Sequence, residues 1–83
     1  MPHFVYIIKT ISGKSNKTYV GYSKNVSNRL KLHNLNKGAK STKGHKWEVI
    51  YKKKFVNKSD ALKYEYNLKK NRKERLNIIK KNT

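Results

Sequence analysis

The sequence predicts a small α+β fold, a three-stranded antiparallel sheet flanked by helices in the order ββαβα(α). Two observations predict it. Phe4-Val5-Tyr6-Ile7-Ile8 and Thr18-Tyr19-Val20-Gly21-Tyr22 are β-branched and aromatic runs separated by turn chemistry over Ser12–Lys17, which reads as a hairpin. A third strand-like segment, Trp47–Phe55, lies between two segments with helical apolar spacing. One small sheet carrying helices is the layer arrangement that buries such elements.

The elements follow in order. Pro2 bounds the first strand and Ser12-Gly13 ends it. After the second strand, Asn25 offers its side chain as the N-cap of a helix from about Val26 to Asn36, with Gly38 as the stop. Lys37–Lys46 is a basic loop. In Trp47–Phe55, Trp47, Val49 and Tyr51 alternate with Glu48, Ile50 and Lys52. Asn57 or Ser59 caps a second helix through about Asn71, and Lys73–Lys81 forms a short third helix carrying Leu76, Ile78 and Ile79. There is no internal repeat and no linker, and 83 residues make one domain, 1–83, with a thin core.

Charge sets the class of partner. Lys plus Arg is 22 against 4 Asp plus Glu, a net +18. Such an excess concentrates polyanions at the surface and speeds encounter with nucleic acid. Part of the lysine excess, alongside abundant asparagine, reflects composition as much as contact. Anionic membrane is the lesser alternative, because no basic amphipathic helix with a Trp/Phe/Leu face is present. The absence of cysteine excludes a disulfide framework and a thiolate zinc site, and His3, His33 and His45 alone make a poor zinc set. The apolar runs are too short to span a bilayer, and the N-terminus enters a strand at once, leaving no room for a signal peptide. The expected location is intracellular, in cytoplasm, nucleoid or nucleus.

Three clues mark a site. At 100° per residue Ala61, Leu62, Tyr64 and Leu68 fall on one helical arc, and Glu65 lies inside it. A carboxylate among apolar neighbours needs a metal or a partner, and Lys69 or Arg72 would serve as that partner, so both readings stay open. Asp60 suits a helix N-terminus, Glu74 the polar side, and Glu48 the outward face of its strand. Arg29 and His33 stack four apart on the first helix, as a phosphate grip with a neighbouring base, or as a generic charge with a half-buried filler. Among 6 tyrosines, Tyr6 and Tyr19 lie on strands that should pair and face one cleft, while Tyr22 and Tyr51 suit the sheet and core and Tyr66 a partly exposed position. Gly21 inside a strand allows close approach of another backbone or a ligand.

Phe4-Val5-Tyr6 followed by Tyr19-Val20-Gly21 resembles the paired motif that names the GIY-YIG nucleases. Arg29, His33 and Glu65 fall where that family carries its arginine, its histidine or tyrosine, and its metal glutamate. His33-Asn34, Gly38-Ala39, Thr42, Trp47-Glu48-Val49, Ala61-Leu62, Glu65 and Leu68-Lys69 resemble the Slx-type structure-specific branch. The likeness covers about residues 4–80. Phe4 replaces the first glycine of the motif, Lys40 stands for the usual basic residue of the glycine-alanine loop, and zero cysteines leave no ligands for the Slx-type zinc domain.

The resemblance implies a metal-dependent endonuclease that hydrolyses DNA phosphodiester bonds and prefers branched, flap or nickable structures over a long recognition sequence, with roles in repair or recombination. Glu65 would hold one Mg²⁺ or Mn²⁺. Tyr6 would be the general base, with His33 sharing that role. Tyr19 would position the water or bind phosphate, and Arg29 would stabilise charge on the scissile phosphate. Gly21, Lys40, Thr42, Lys43 and Lys69 would contact substrate. Lys46, lysines 52 to 54 and the cations over 69 to 73 would track the flanking backbone without reading sequence. Nicking needs one copy and a double-strand break a homodimer. The rival class is a non-catalytic basic module in which Trp47 and the tyrosines stack on unpaired bases. A toxin-like or mobile-element nuclease would use the same residues.

Overall fold

In the computed structural model, which describes residues 2–12, 17–38 and 40–82, the chain runs β1 (His3–Ser12), β2 (Thr18–Ser23), α1 (Val26–Asn34), a single 3-10 turn (Lys40–Thr42), β3 (Lys46–Phe55), α2 (Lys58–Lys70) and α3 (Arg72–Lys81). The three strands form one antiparallel sheet, as the sequence predicts, in the order β2-β1-β3. The most continuous apolar run becomes the central strand because it is covered on both faces: Val5, Ile7 and Ile8 are each 0% exposed. Backbone pairing extends β1 beyond Ile8 through polar Lys9 and Thr10. The hairpin closes with Thr10 N–H donating to Lys17 O at 3.0 Å and Lys17 N–H to Thr10 Oγ1 at 3.1 Å, and the expected turn at 13–16 lies outside the described residues.

Helices cover opposite faces. Val5, Ile7 and Val20 pack against Ala61 and Leu68 of α2, with Ile78 and Ile79 of α3 at the border. Tyr6, Ile8 and Trp47 pack against Val26 of α1, with Tyr19, Leu30 and Val49 around them. Strand β3 serves both faces and carries a bulge. Ile7 sits opposite Tyr51 and Ile8 opposite Val49, so Ile50 is an extra residue in the ladder. The expected single alternation of Trp47, Val49 and Tyr51 therefore breaks. Trp47 and Val49 face the α1 core, whereas Ile50 and Tyr51 join the α2 core.

Asparagine caps all three helices: Asn25 accepts from Asn28 N–H at 3.0 Å, Asn57 from Asp60 N–H at 2.8 Å and Asn71 from Glu74 N–H at 3.1 Å. The end of α1 differs from expectation. The helix stops at Asn34, and Asn36, not Gly38, takes the left-handed conformation at φ 61°. Lys37 N–H reaches back to Leu32 O at 2.8 Å and Asn36 N–H to His33 O at 3.1 Å, the paired bonds of a left-handed helix terminus. On α2 the buried stripe centres on Ala61 and Leu68, which leaves Leu62 on its rim, 40% exposed. Among the described residues no helix is long and apolar enough to cross a membrane.

Leu68, 1% exposed, closes the α2 core. Leu68→Ala should cost about 2–5 kcal/mol in urea unfolding. Leu62→Ala should stay within about 0.5 kcal/mol. Equal costs would mean that the core does not lie where these burial values put it.

Candidate active site

The site starts from a buried chain of polar groups. The Tyr6 hydroxyl on β1 meets Nε2 of His33 on α1 at 2.9 Å, and Nδ1 of His33 meets Thr42 Oγ1 at 2.9 Å. The Trp47 indole N–H donates to Thr42 O at 3.0 Å and fixes the turn behind the imidazole. Tyr6, His33 and Thr42 are all buried. Each polar group in the chain has a partner, as burial requires.

Two glycines make the space. A Cβ on Gly21 would overlap the Tyr6 hydroxyl, and a Cβ on Gly38 would overlap His33 Nδ1. Gly21 faces Tyr6 across the β1–β2 ladder, so the strand can carry nothing larger there. Asn34 adds a clasp. Its Oδ1 accepts Trp47 N–H at 2.6 Å and its Nδ2 donates to Trp47 O at 3.2 Å, so the end of α1 is held to β3 as a paired strand would be.

Around this chain lie the groups that carry charge. Burial pushes the Tyr6 phenol up to about 12, against the Arg29 guanidinium, which pulls it down, while Tyr19 and Glu65 add to the rise. One hydroxyl therefore senses Arg29, Tyr19 and Glu65 together. Burial first, and then Arg29, hold His33 below its usual 6.5, so the imidazole is neutral at pH 7. The Tyr19 ring lies 5.2 Å from that of His33. Lys69 bridges outward, with Nζ 3.3 Å from Glu65 Oε2 and 5.8 Å from the centre of the Tyr19 ring.

Tyr6, Tyr19, Arg29, His33 and Glu65 thus gather where β1 and β2 meet α1 and α2. Glu65 makes the Lys69 ion pair that the sequence offered as an alternative, and its charge also reaches Tyr6. Gly21 and Thr42 differ from expectation. Both are buried, Gly21 against Tyr6 and Thr42 behind His33, so they shape the site from inside. Lys40 and Lys43 are exposed on the turn around Thr42, and Lys69 is half-exposed. Trp47 is 2% exposed with its N–H engaged, so base stacking on it is ruled out. The roles of Gly38 and Asn34 escaped the sequence reading. A glycine after a helix reads as a stop, and no pattern shows that a side chain can imitate a strand.

Among the described residues no three His, Asp or Glu side chains cluster as a metal cage. Glu65 is the lone carboxylate beside Tyr6, and its side chain is 18% exposed. One carboxylate completed by waters and phosphate oxygens is a donor set that Mg²⁺ accepts. The residues therefore fit a single hydrated divalent cation, which would compete with Lys69 for Glu65.

Thr42→Val keeps the shape but removes the partner of His33 Nδ1. It should cost about 1–3 kcal/mol and shift the imidazole ¹⁵N resonances, while Thr42→Ser should restore them. Unmoved resonances would disprove the contact. By NMR titration His33 should protonate only below pH 6.5, because its folded pKa is depressed. The unfolded chain then binds the extra proton first, so this contribution to stability is complete above pH 6.5 and is lost as pH falls through the lowered folded value.

Known proteins resemble this chain in sequence and in fold. Residues 2–77 match the model of the GIY-YIG catalytic domain. A UPF0213 protein of Oceanobacillus iheyensis is 43% identical over 79 residues, covering 93% of this chain and 88% of its own. A UPF0213 protein of Staphylococcus haemolyticus is 42% identical over 79 residues, covering 93% of each. The solution NMR structure of a UPF0213 protein from Bacillus halodurans superposes with a TM-score of 0.58 at 32% identity, covering 96% of this chain and 84% of that one. The protein belongs to the GIY-YIG catalytic domain family.

Proposed function

We propose that this protein is an endonuclease that hydrolyses DNA phosphodiester bonds at the Tyr6 site, acting on nickable, branched or flap structures. The observation that supports it most is the buried Tyr6–His33 hydrogen bond of 2.9 Å, whose hydroxyl also senses Arg29, Tyr19 and Glu65. A passive basic module has no use for a hydroxyl so placed. The UPF0213 relatives carry no activity in their names, and the chemistry of the site points to the substrate.

In the tautomer protonated at Nδ1, His33 donates to Thr42 and presents the Nε2 lone pair to the Tyr6 O–H. As water attacks phosphorus, its proton passes to Tyr6 and the Tyr6 proton passes to His33 Nε2. The P–O3′ bond breaks, leaving a 5′-phosphate and a 3′-oxygen that takes a proton from solvent. The transfer must be concerted. Burial pushes the phenol up and the imidazole down, so the phenol keeps its proton and a standing tyrosinate–imidazolium pair is disfavoured. Arg29 neutralises charge growing on the phosphoryl oxygens. Tyr19 positions the attacking water. A divalent cation held by Glu65 would polarise the phosphate and stabilise the leaving oxygen.

Lys40, Lys43 and the other exposed lysines hold phosphates and read no bases. Contacts made to phosphates favour structure-directed cutting, in line with the Slx-type likeness. Processing of DNA intermediates inside the cell is the setting that fits this chemistry.

A nicked or flap DNA with Mg²⁺ should be cut, and EDTA should stop it. Glu65→Gln should lower the rate by at least about a hundredfold, as should Arg29→Ala, with DNA affinity reduced only slightly. Metal-indifferent binding without cleavage, unchanged in Glu65→Gln, would leave only a basic binding module.

A further inference from the structure

Beside the site lies a hollow that shares Tyr19 and Lys69 with it and adds Arg75, which the proposed chemistry does not use. This hollow of about 230 Å³ opens at the outer side of β2, lined by Thr18, Tyr19, Val20, Lys69 and Arg75. Strand β2 is an edge strand, so one side of its backbone has no ladder partner. Arg75, at the start of α3, reaches back to the end of α2, where its Nη1 donates to Lys69 O at 2.6 Å and Leu68 O at 3.2 Å. Those bonds fix the guanidinium in place but occupy one nitrogen. Among the described residues Arg75 has no carboxylate partner, and its remaining N–H groups are unengaged. A pre-oriented, unpaired guanidinium beside an ammonium in a solvent-open hollow is a receptor for a phosphate-sized anion.

The wall between this hollow and the catalytic chain is a single ring. Tyr19 lines the hollow and also packs 5.2 Å from His33. Lys69 stands at the same border, over Tyr19. A strand with its scissile phosphate at Tyr6 and Arg29 would pass over Tyr19 and bring an adjacent phosphate to Lys69 and Arg75. We infer that the β2-edge hollow is a subsite for the non-scissile phosphate next to the cut, gripped by Arg75 with Lys69. This rests on the nuclease reading above. The subsite would set the path of the strand and, by holding one neighbour, fix which phosphate meets Tyr6.

The test begins with the full chain and an unmodified oligonucleotide, to map the cut. No cut at all would remove the nuclease reading and the subsite with it. With the cut mapped, a neutral methylphosphonate replaces one flanking phosphate at a time. At one flanking position the substitution should weaken binding roughly ten-fold in the unaltered protein. It should have no further effect in Arg75→Gln, whose amide can still donate to the α2 carbonyls. The salt dependence of binding should fall by about one ion in that variant. Thr18→Glu places a negative charge on the rim without touching those carbonyls, and it should weaken binding roughly ten-fold even if Arg75→Gln folds poorly. Cleavage that persists while no flanking methylphosphonate matters, or one whose penalty is the same in Arg75→Gln, would overturn the subsite and leave the nuclease reading standing. Unweakened binding by Thr18→Glu would overturn it as well.

Discussion

The buried bond between Tyr6 and His33 is the constraint from which the rest of the structure can be derived. Neither group can be orphaned away from water without a penalty of about 1–3 kcal/mol. The whole domain has only about 5–15 kcal/mol to lose. That penalty ties together a strand, a helix and a turn that are far apart in sequence. It also explains two positions where a side chain is forbidden, Gly21 and Gly38, since each faces one member of the pair. Thr42 and Trp47 extend the same logic outward by satisfying the far side of the imidazole and the turn that carries it.

Charge is distributed to match. With 22 basic residues and 4 acidic ones, the field over the molecule is positive almost everywhere. Among the described residues Glu65 is the one carboxylate whose charge reaches the phenol, and its tie to Lys69 pairs that charge. Burial and charge act in opposite senses on Tyr6. Desolvation keeps its proton on while Arg29 draws it off. The net result is a phenol that keeps its proton at neutral pH.

Much of this was legible in the sequence. The element order followed from apolar runs and turn residues, the first two caps from Asn25 and Asn57, and the gathering of Tyr6, Tyr19, Arg29, His33 and Glu65 from strand pairing, helical spacing and the family likeness. What escaped depends on three dimensions. The end of α1 was assigned to Gly38 because glycine is the usual left-handed residue, yet asparagine tolerates that conformation and Asn36 also accepts Gly44 N–H at 2.8 Å. Thr42 lies in a basic loop, where the resemblance makes it a substrate contact, and tertiary packing turns it inward onto His33. Arg75 lies on a helix with no sequence link to β2, so the hollow they share has no linear signature.

The extra residue at Ile50 has a consequence of its own. Upstream of it β3 is written in one alternation and downstream in the other, much as a message is read in two frames around an inserted letter. Deleting Ile50 would restore a regular ladder with Val49 still opposite Ile8 and Tyr51 still opposite Ile7, so both layers would keep their aromatic anchors and the α2 layer would lose the Ile50 side chain. The inserted residue lets the outer strand give two successive side chains, Ile50 and Tyr51, to one layer, which strict alternation forbids.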